Sequence, residues 1–205
     1  MNPYELYFVT DDQQDIDILC RVVKQAIAGG VTMVQIREKH GDVRAFIARA
    51  RAVKKVMQGT GVPLIINDRV DVALAVDACG VHLGQSDMPV EDARRLLGQD
   101  KILGLSVESE QQLLIAQALP VDYLGVSAIF VTATKSNTIK HWGIEGLTQA
   151  VQISAKPLVA IGGINDSNIH HVVSTGVDGI ALVSAISAAD DPKVASEQLL
   201  LKMRA

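Results

Sequence analysis

Two aspartates of this 205-residue chain lie just after buried stretches of sequence, where they could hold a metal ion. Asp68 follows the apolar run 64–66 and one further residue, and Asp87 follows the run 80–83. If the two runs are neighbouring parallel strands, both carboxylates lie at the same end of the sheet. Mg²⁺ suits such a pair, with phosphate oxygens and water as its other ligands. Each aspartate could instead cap the following helix, and the pattern leaves both interpretations open.

A second group of polar residues alternates along an extended stretch. Gln35, Arg37 and Lys39 are two positions apart, so their side chains point to the same side. The planar arginine fork and the movable lysine charge are suited to binding a diphosphate, and the amide is suited to a polar ring. A solvated charged loop, with Glu38 as a neighbour, is the alternative.

Two further regions have the composition of phosphate-binding loops. Thr132-Ala133-Thr134-Lys135 lies on the longest predicted loop, where hydroxyls, backbone N–H groups and a lysine could surround phosphate oxygens. Gly162-Gly163 and Val183-Ser184 follow the last two predicted strands, and glycine lets the backbone approach a bound anion. For the first region the alternative is a polar surface loop. For the glycines it is a tight turn with positive φ, which would explain one of the two glycines.

Composition and motifs exclude several functional classes. The net charge of −4 includes no basic block of the kind that binds nucleic acid, and no apolar run approaches the length of a membrane span. The cysteines lack zinc-site spacing, and no metalloprotease, nucleophile-elbow or Walker motif occurs. His82 falls inside a predicted strand, where a core imidazole is the expected role. We expect a cytoplasmic protein that acts on small molecules, and the sequence leaves open a homo-oligomer.

The elements that must position these groups alternate between strand and helix. Short apolar runs, typical of strands covered on both faces, are separated by helical patterns. The predicted strands span residues 6–9, 33–36, 64–66, 80–83, 102–105, 122–126, 158–161 and 179–183. The predicted helices span 16–27, 42–58, a short segment after Asp68, 89–97, 108–118, 145–153, 166–174 and a closing segment from 191.

Eight such units of uniform composition predict one α/β domain over residues 1–205, a parallel (β/α)8 TIM barrel. An open flavodoxin-like sheet is the second choice, but it would usually have fewer strands and a single glycine-rich phosphate turn. Closure is favoured because nearly all polar residues of chemical interest follow strand ends. Barrel enzymes place their active sites on that face.

Six ordered motifs cover essentially the whole chain. They are Leu6-Tyr7-Phe8-Val9-Thr10-Asp11, Gly30-Val31-Thr32-Met33-Val34-Gln35-Ile36-Arg37-Glu38-Lys39, Ile66-Asn67-Asp68-Arg69-Val70-Asp71, Gly80-Val81-His82-Leu83-Gly84-Gln85-Ser86-Asp87, Thr132-Ala133-Thr134-Lys135 and Ala160-Ile161-Gly162-Gly163-Ile164. Together these motifs resemble those of the thiamine-phosphate synthase family. One departure is Ser127-Ala128-Ile129-Phe130-Val131-Thr132, where the family pattern has Gly-Pro-Ile-Phe-Pro-Thr.

The resemblance implies a transferase of thiamine biosynthesis. The reaction would join an aminopyrimidine methyl diphosphate to a thiazole phosphate, releasing diphosphate before the thiazole nitrogen attacks, and carbon dioxide when the thiazole carries a carboxylate. The resemblance implies Mg²⁺ on Asp68 and Asp87. It implies pyrimidine diphosphate binding by Gln35, Ile36, Arg37, Glu38, Lys39, Asn67, Ser106 and Lys135, with Arg37, Lys39, Ser106 and Lys135 as catalytic residues. For the thiazole phosphate it implies Thr132, Ala133, Thr134, Gly163, Val183 and Ser184.

Two other functions compete with this one. A related thiazole tautomerase is expected to carry a histidine near position 128 and to lack the acid pair, whereas this chain has Ala128 and both aspartates. A non-catalytic barrel that senses thiazole or thiamine phosphate would have no use for a metal site beside Arg37, Lys39 and Lys135.

Overall fold

The computed structural model describes residues 2–131 and 141–205 of the chain. Strands and helices alternate along it. The strands are β1 Leu6–Val9, β2 Met33–Ile36, β3 Leu64–Asn67, β4 Gly80–Leu83, β5 Ile102–Val107, β6 Tyr123–Ser127, β7 Leu158–Ile161 and β8 Gly179–Leu182. The helices are α1 Ile16–Ala28, α2 Val43–Val56, α3 Val70–Val76, α4 Val90–Leu97, α5 Glu110–Ala116, α6 Gly143–Ile153, α7 Ile169–Val173, α8 Ser184–Ser187 and α9 Pro192–Arg204.

The eight strands form a closed parallel barrel. Each strand pairs with the next along the sequence, and β1 also pairs with β8, so that Tyr7 lies opposite both Met33 and Ala181. Closure leaves the sheet without a free edge. The predicted (β/α)8 barrel is therefore confirmed, and the open flavodoxin-like sheet is excluded.

Apolar side chains form two clusters, one on each face of the barrel wall. The larger cluster joins alternate strand residues, such as Leu6 and Phe8, to buried helix residues such as Leu19 and Val22. The smaller cluster takes strand residues of the opposite parity, namely Tyr7, Val9, Met33, Ile65, Tyr123, Val159 and Ala181. Because successive strand residues point to opposite faces, one short strand supplies both clusters.

Most predicted elements are observed close to their predicted bounds, and three differences are informative. Helix α2 begins at Val43, because the Asp42 carboxylate accepts the Ala45 N–H at 2.8 Å and so caps the helix. Strand β5 continues to Val107, so Ser106 is a strand residue. Helix α8 was not predicted, since a single turn is too short to show a helical period. No helix among the described residues is long and apolar enough to cross a membrane.

Candidate active site

A cavity of about 660 Å³ opens at the C-terminal ends of the strands. All eight strands, or the residues directly after them, contribute to its walls. The lining residues with side chains of chemical interest are Tyr7, Gln35, Arg37, Lys39, Asn67, Asp68, His82, Gln85, Asp87, Ser106, Glu108, Tyr123, Ser127 and Ser184. Closure of the barrel thus brings most of the candidate residues of the sequence to one cavity.

The two aspartates lie at the cavity and do not cap helices. The Asp68 carboxylate pairs with the Lys39 ammonium, and helix α3 begins after Arg69 without a side-chain cap. The Asp87 carboxylate accepts the Gly84 N–H at 2.6 Å, and helix α4 begins after Pro89. The capping interpretation of both residues is therefore wrong.

The carboxylate pair has the chemistry of a site for a hard cation. Burial raises the pKa of Asp68, the ion pair with Lys39 opposes this rise, and the direct contact with Asp87 adds to it. A bound divalent cation would relieve the repulsion between the two carboxylates. Within 2–131 and 141–205, no group of three or more His, Cys, Asp or Glu residues is placed to hold a metal. A cation here would therefore take its remaining ligands from substrate and water, as Mg²⁺ commonly does.

The alternating residues after β2 divide between the cavity and the protein interior. Gln35, Arg37 and Lys39 line the cavity. The Arg37 guanidinium forms no ion pair or hydrogen bond with any residue that the structure describes, so its donors are available to an anion. Ile36 is fully buried in the larger apolar cluster, and the Glu38 carboxylate binds Arg49 at 2.8 Å. The side chains of Ile36 and Glu38 are thus not brought to the cavity.

Five polar side chains form a hydrogen-bonded series at the floor of the cavity, which we call the polar chain. Gln35 Nε2 donates to Tyr7 Oη at 2.7 Å, and Tyr7 Oη lies 3.0 Å from Tyr123 Oη. Tyr123 Oη lies 2.8 Å from His82 Nδ1, and His82 Nε2 lies 2.9 Å from Ser106 Oγ. Gln35 and Ser106 were predicted site residues, whereas the three residues between them were not.

Sequence reasoning missed these central residues for a physical reason. His82 was expected to be a core imidazole, and it is indeed 9% exposed, but it also lines the cavity. Tyr7 and Tyr123 lie in apolar strands and look like core residues. One signal was available, because a buried tyrosine hydroxyl usually has a hydrogen-bond partner, and two tyrosines in buried strands therefore indicate polar groups inside the barrel.

Asn67 offers an unpaired donor to the cavity. Its side chain is buried, and Nδ2 has no hydrogen-bond partner in the described part of the chain. A buried amide N–H without a partner is costly unless a ligand or water accepts from it. The residue lies beside His82 in the strand register and lines the same cavity. Its position is consistent with a substrate contact.

The opposite wall of the cavity contains Gly162, Gly163, Val183 and Ser184. Both glycines have positive φ, at +104° and +67°. Turn geometry therefore accounts for both of them, whereas the sequence predicts that it would account for only one. A Cβ on Gly163 would come within 2.6 Å of the Val131 carbonyl oxygen. The predicted residues Thr132, Ala133, Thr134 and Lys135 lie outside the described residues.

The segment that departs from the family pattern is held against this wall by its backbone. The Ile129 N–H donates to the Ile161 carbonyl and the Phe130 N–H to the Gly162 carbonyl, both at 3.0 Å. Ala128 and Val131 stand where the family pattern has proline. The two anchoring N–H groups therefore belong to positions that are not proline in either sequence.

Comparisons with known proteins identify the family of the chain. The family model described as thiamine monophosphate synthase matches residues 6–186. A protein of Vibrio campbellii named thiamine-phosphate synthase is 67% identical over 204 residues, which cover 100% of both chains. One of Albidiferax ferrireducens with the same name is 52% identical, covering 95% of this chain and 89% of its own.

A solved structure supports the same family. The thiamine phosphate pyrophosphorylase of Pyrococcus furiosus superimposes with a TM-score of 0.89 at 37% identity, covering 99% of this chain and 96% of its own. The match includes the whole barrel and thus every strand that contributes to the cavity. The chain belongs to the thiamine monophosphate synthase family.

Proposed function

We propose that this chain is a thiamine-phosphate synthase, a transferase that joins an aminopyrimidine methyl diphosphate to a thiazole phosphate and releases diphosphate. The observation that carries this proposal is the placement of Arg37 and Lys39 beside the Asp68–Asp87 pair at one cavity, in a chain 67% identical to a protein of that name. Cations and a carboxylate pair together suit a substrate that brings both a diphosphate and a metal ion.

The residues at the cavity suggest how the pyrimidine diphosphate is held. Arg37 and Lys39 would bind its diphosphate with Lys135, while Gln35, Asn67 and Ser106 supply hydrogen bonds to the ring and the nearer phosphate. Ile36 and Glu38 do not belong in this set by their side chains, because one is in the core and the other is bound to Arg49. The thiazole phosphate would lie against Gly163, Val183 and Ser184, with Thr132, Ala133 and Thr134.

Asp68 and Asp87 would hold Mg²⁺, which would neutralise part of the charge that develops on the departing diphosphate. Lys39 already pairs with Asp68 and would be released toward the substrate once that carboxylate has a second cation as its partner. Arg37 and Lys39 would then stabilise negative charge where it develops, in a cavity partly closed to water. Charge stabilisation of this kind supports a dissociative reaction, in which diphosphate leaves before the thiazole nitrogen attacks.

A two-substrate assay of diphosphate release tests the proposal. We expect release only when both substrates and Mg²⁺ are present, and a large loss of rate in Asp87→Ala. Asp71→Asn is the matched control, because Asp71 is an exposed acid that pairs with Arg69 outside the cavity. Release without metal, or none with both substrates and Mg²⁺, would reject the proposal.

The competing functions have less support at the cavity. Ala128 is buried and offers no acid–base group for a tautomerase. A sensor of thiazole phosphate would not need the acid pair beside Arg37 and Lys39. We further propose that the protein works in the cytoplasm on small phosphorylated molecules, without nucleic acid, since its net charge of −4 opposes polyanion binding.

A further inference from the structure

The middle of the polar chain is enclosed and fixed in place. Tyr7 and Tyr123 are 1% and 0% exposed, and burial raises the pKa of both phenols, so each hydroxyl keeps its proton. His82 packs against Gly104 and Gly125, where an added Cβ would come within 2.5 Å of Nδ1 and 3.0 Å of Cε1. Glycine at these positions of β5 and β6 therefore leaves the space that the imidazole fills, and hydrogen bonds to Tyr123 and Ser106 hold its two nitrogens.

A linear series of this kind has two self-consistent arrangements of its protons, which we call settings, because each hydroxyl donates one proton and a neutral imidazole donates at one nitrogen and accepts at the other. In the forward setting, which follows from the donation by Gln35 Nε2, Gln35 donates to Tyr7, Tyr7 to Tyr123 and Tyr123 to His82 Nδ1. The His82 proton is then on Nε2 and is donated to Ser106 Oγ. In the reversed setting Tyr7 donates to the Gln35 carbonyl, His82 is protonated on Nδ1, and Ser106 donates its proton to Nε2.

The two ends of the polar chain are therefore coupled in what they present to a ligand. The forward setting leaves the Gln35 carbonyl oxygen as an acceptor and the Ser106 hydroxyl as a donor. The reversed setting leaves an N–H donor at Gln35 and lone pairs at Ser106. Reversing the hydrogen-bond direction at one end requires every proton between the two ends to move.

We propose that Tyr7, Tyr123 and His82 are positioning residues that couple the hydrogen-bonding direction of Gln35 to that of Ser106. This inference rests on the proposed function, whose substrate carries an amino group on its ring and phosphate oxygens on its side chain. Such a substrate fits the forward setting at both ends, since Gln35 accepts from the amine and Ser106 donates to a phosphate oxygen. In the reversed setting the Gln35 N–H would face the N–H donors of the substrate amine, and the Ser106 lone pairs would face those of a phosphate oxygen.

The position of the proton on His82 reports the setting without substrate or metal. NMR of protein labelled with ¹⁵N-histidine distinguishes the two neutral tautomers and the imidazolium, and His82→Gln identifies the His82 signals among the five histidines. We expect the proton on Nε2. An ionised Gln35→Glu side chain can only accept, so Tyr7 must donate to it and the His82 proton should move to Nδ1. The double variant with Tyr7→Phe keeps the charge but interrupts the polar chain, and Nε2 should remain protonated.

The outcomes separate this inference from the proposed function. An Nδ1 proton or an imidazolium in the unmodified protein overturns the coupling, and so does a reversal that persists in the double variant. Circular dichroism checks the fold of each variant, and the unmodified protein alone decides the matter if Gln35→Glu does not fold.

Tyr7→Phe should raise the KM for the pyrimidine diphosphate about fivefold, which is the effect of one lost hydrogen bond. The KM for thiazole phosphate should stay unchanged. An inactive unmodified protein would reject the function and leave the tautomer result standing.

Discussion

Asp68 combines a left-handed backbone with a partly buried carboxyl group. It has a φ of 62°, and Asp77 is the other non-glycine residue of the described chain with positive φ. We predict that Asp68→Asn, which tolerates this conformation, keeps the stability within about 1 kcal/mol but lowers activity by roughly a hundredfold or more, because a metal ligand is lost. Asp68→Ala should cost about 1–2 kcal/mol more in stability. The measurements are urea unfolding and diphosphate release.

Asp77 is the matched control for the backbone part of this prediction. It has a φ of 50°, lies away from the cavity and pairs with Lys54 and Lys101. Its Ala variant should also be less stable than its Asn variant, while both keep full activity. An active Asp68→Asn protein would contradict the assignment of Asp68 to the metal site.

The raised pKa of Asp68 also predicts how stability depends on pH. The folded, metal-free protein keeps the Asp68 proton at pH values where the unfolded chain has lost it. The contribution of Asp68 to stability is therefore complete below the ordinary aspartate pKa, about 3.9, and is lost as the pH rises through the higher folded value. Asp68→Asn should remove this component. Unfolding free energies of both proteins across this pH range test the prediction, and parallel curves would contradict it.

At the scale of elements, the strands were predictable and the short turns were not. Runs such as Leu6–Val9 carry a clear apolar signal, whereas α8 has one turn and no readable period. The capping interpretation of Asp68 and Asp87 failed because local sequence does not show that Lys39, from the preceding strand unit, reaches Asp68. Strand ends were thus located from sequence, but the partners of the side chains there depend on neighbouring strands.

The turn after β7 gives a prediction about backbone approach. A Cβ at Gly163 would meet the Val131 carbonyl oxygen at 2.6 Å and Phe130 Cβ at 2.8 Å. We predict that Gly163→Ala destabilises the protein by about 2–4 kcal/mol, from the positive φ and the clash together, and raises the KM for thiazole phosphate. Urea unfolding and substrate titration measure the two effects.

Gly61 separates the two causes. Its φ of +73° is close to that of Gly163, but nothing lies within 4 Å of its Cβ position. Gly61→Ala should therefore show only the conformational loss, about 1–2 kcal/mol, and an unchanged KM. Equal losses at the two glycines would mean that the contact with the 128–131 segment contributes nothing.

At the scale of the whole molecule, closure decides how much of the site could be predicted. Polar residues after the strands were expected to converge, and the cavity does contain Arg37, Lys39, Asp68 and Asp87. The centre of the polar chain was not foreseen, because Tyr7 and Tyr123 are 116 residues apart in sequence and meet across the barrel interior. Periodicity assigns a side chain to the inner face, but only strand order and register determine what it meets there.

The same closure predicts a ligand response that does not depend on catalysis. Because cations after β2 and acids after β3 and β4 share one cavity, Mg²⁺ and inorganic diphosphate should bind together and stabilise the folded state. At a hundred times the dissociation constant the gain is about 2.7 kcal/mol, which for a chain of this length corresponds to a rise in Tm of roughly 5–10 °C. Asp68→Asn should lose most of this rise and Asp71→Asn should keep it. A rise with diphosphate alone, or an undiminished rise in Asp68→Asn, would mean that anion binding does not involve a metal held by this pair.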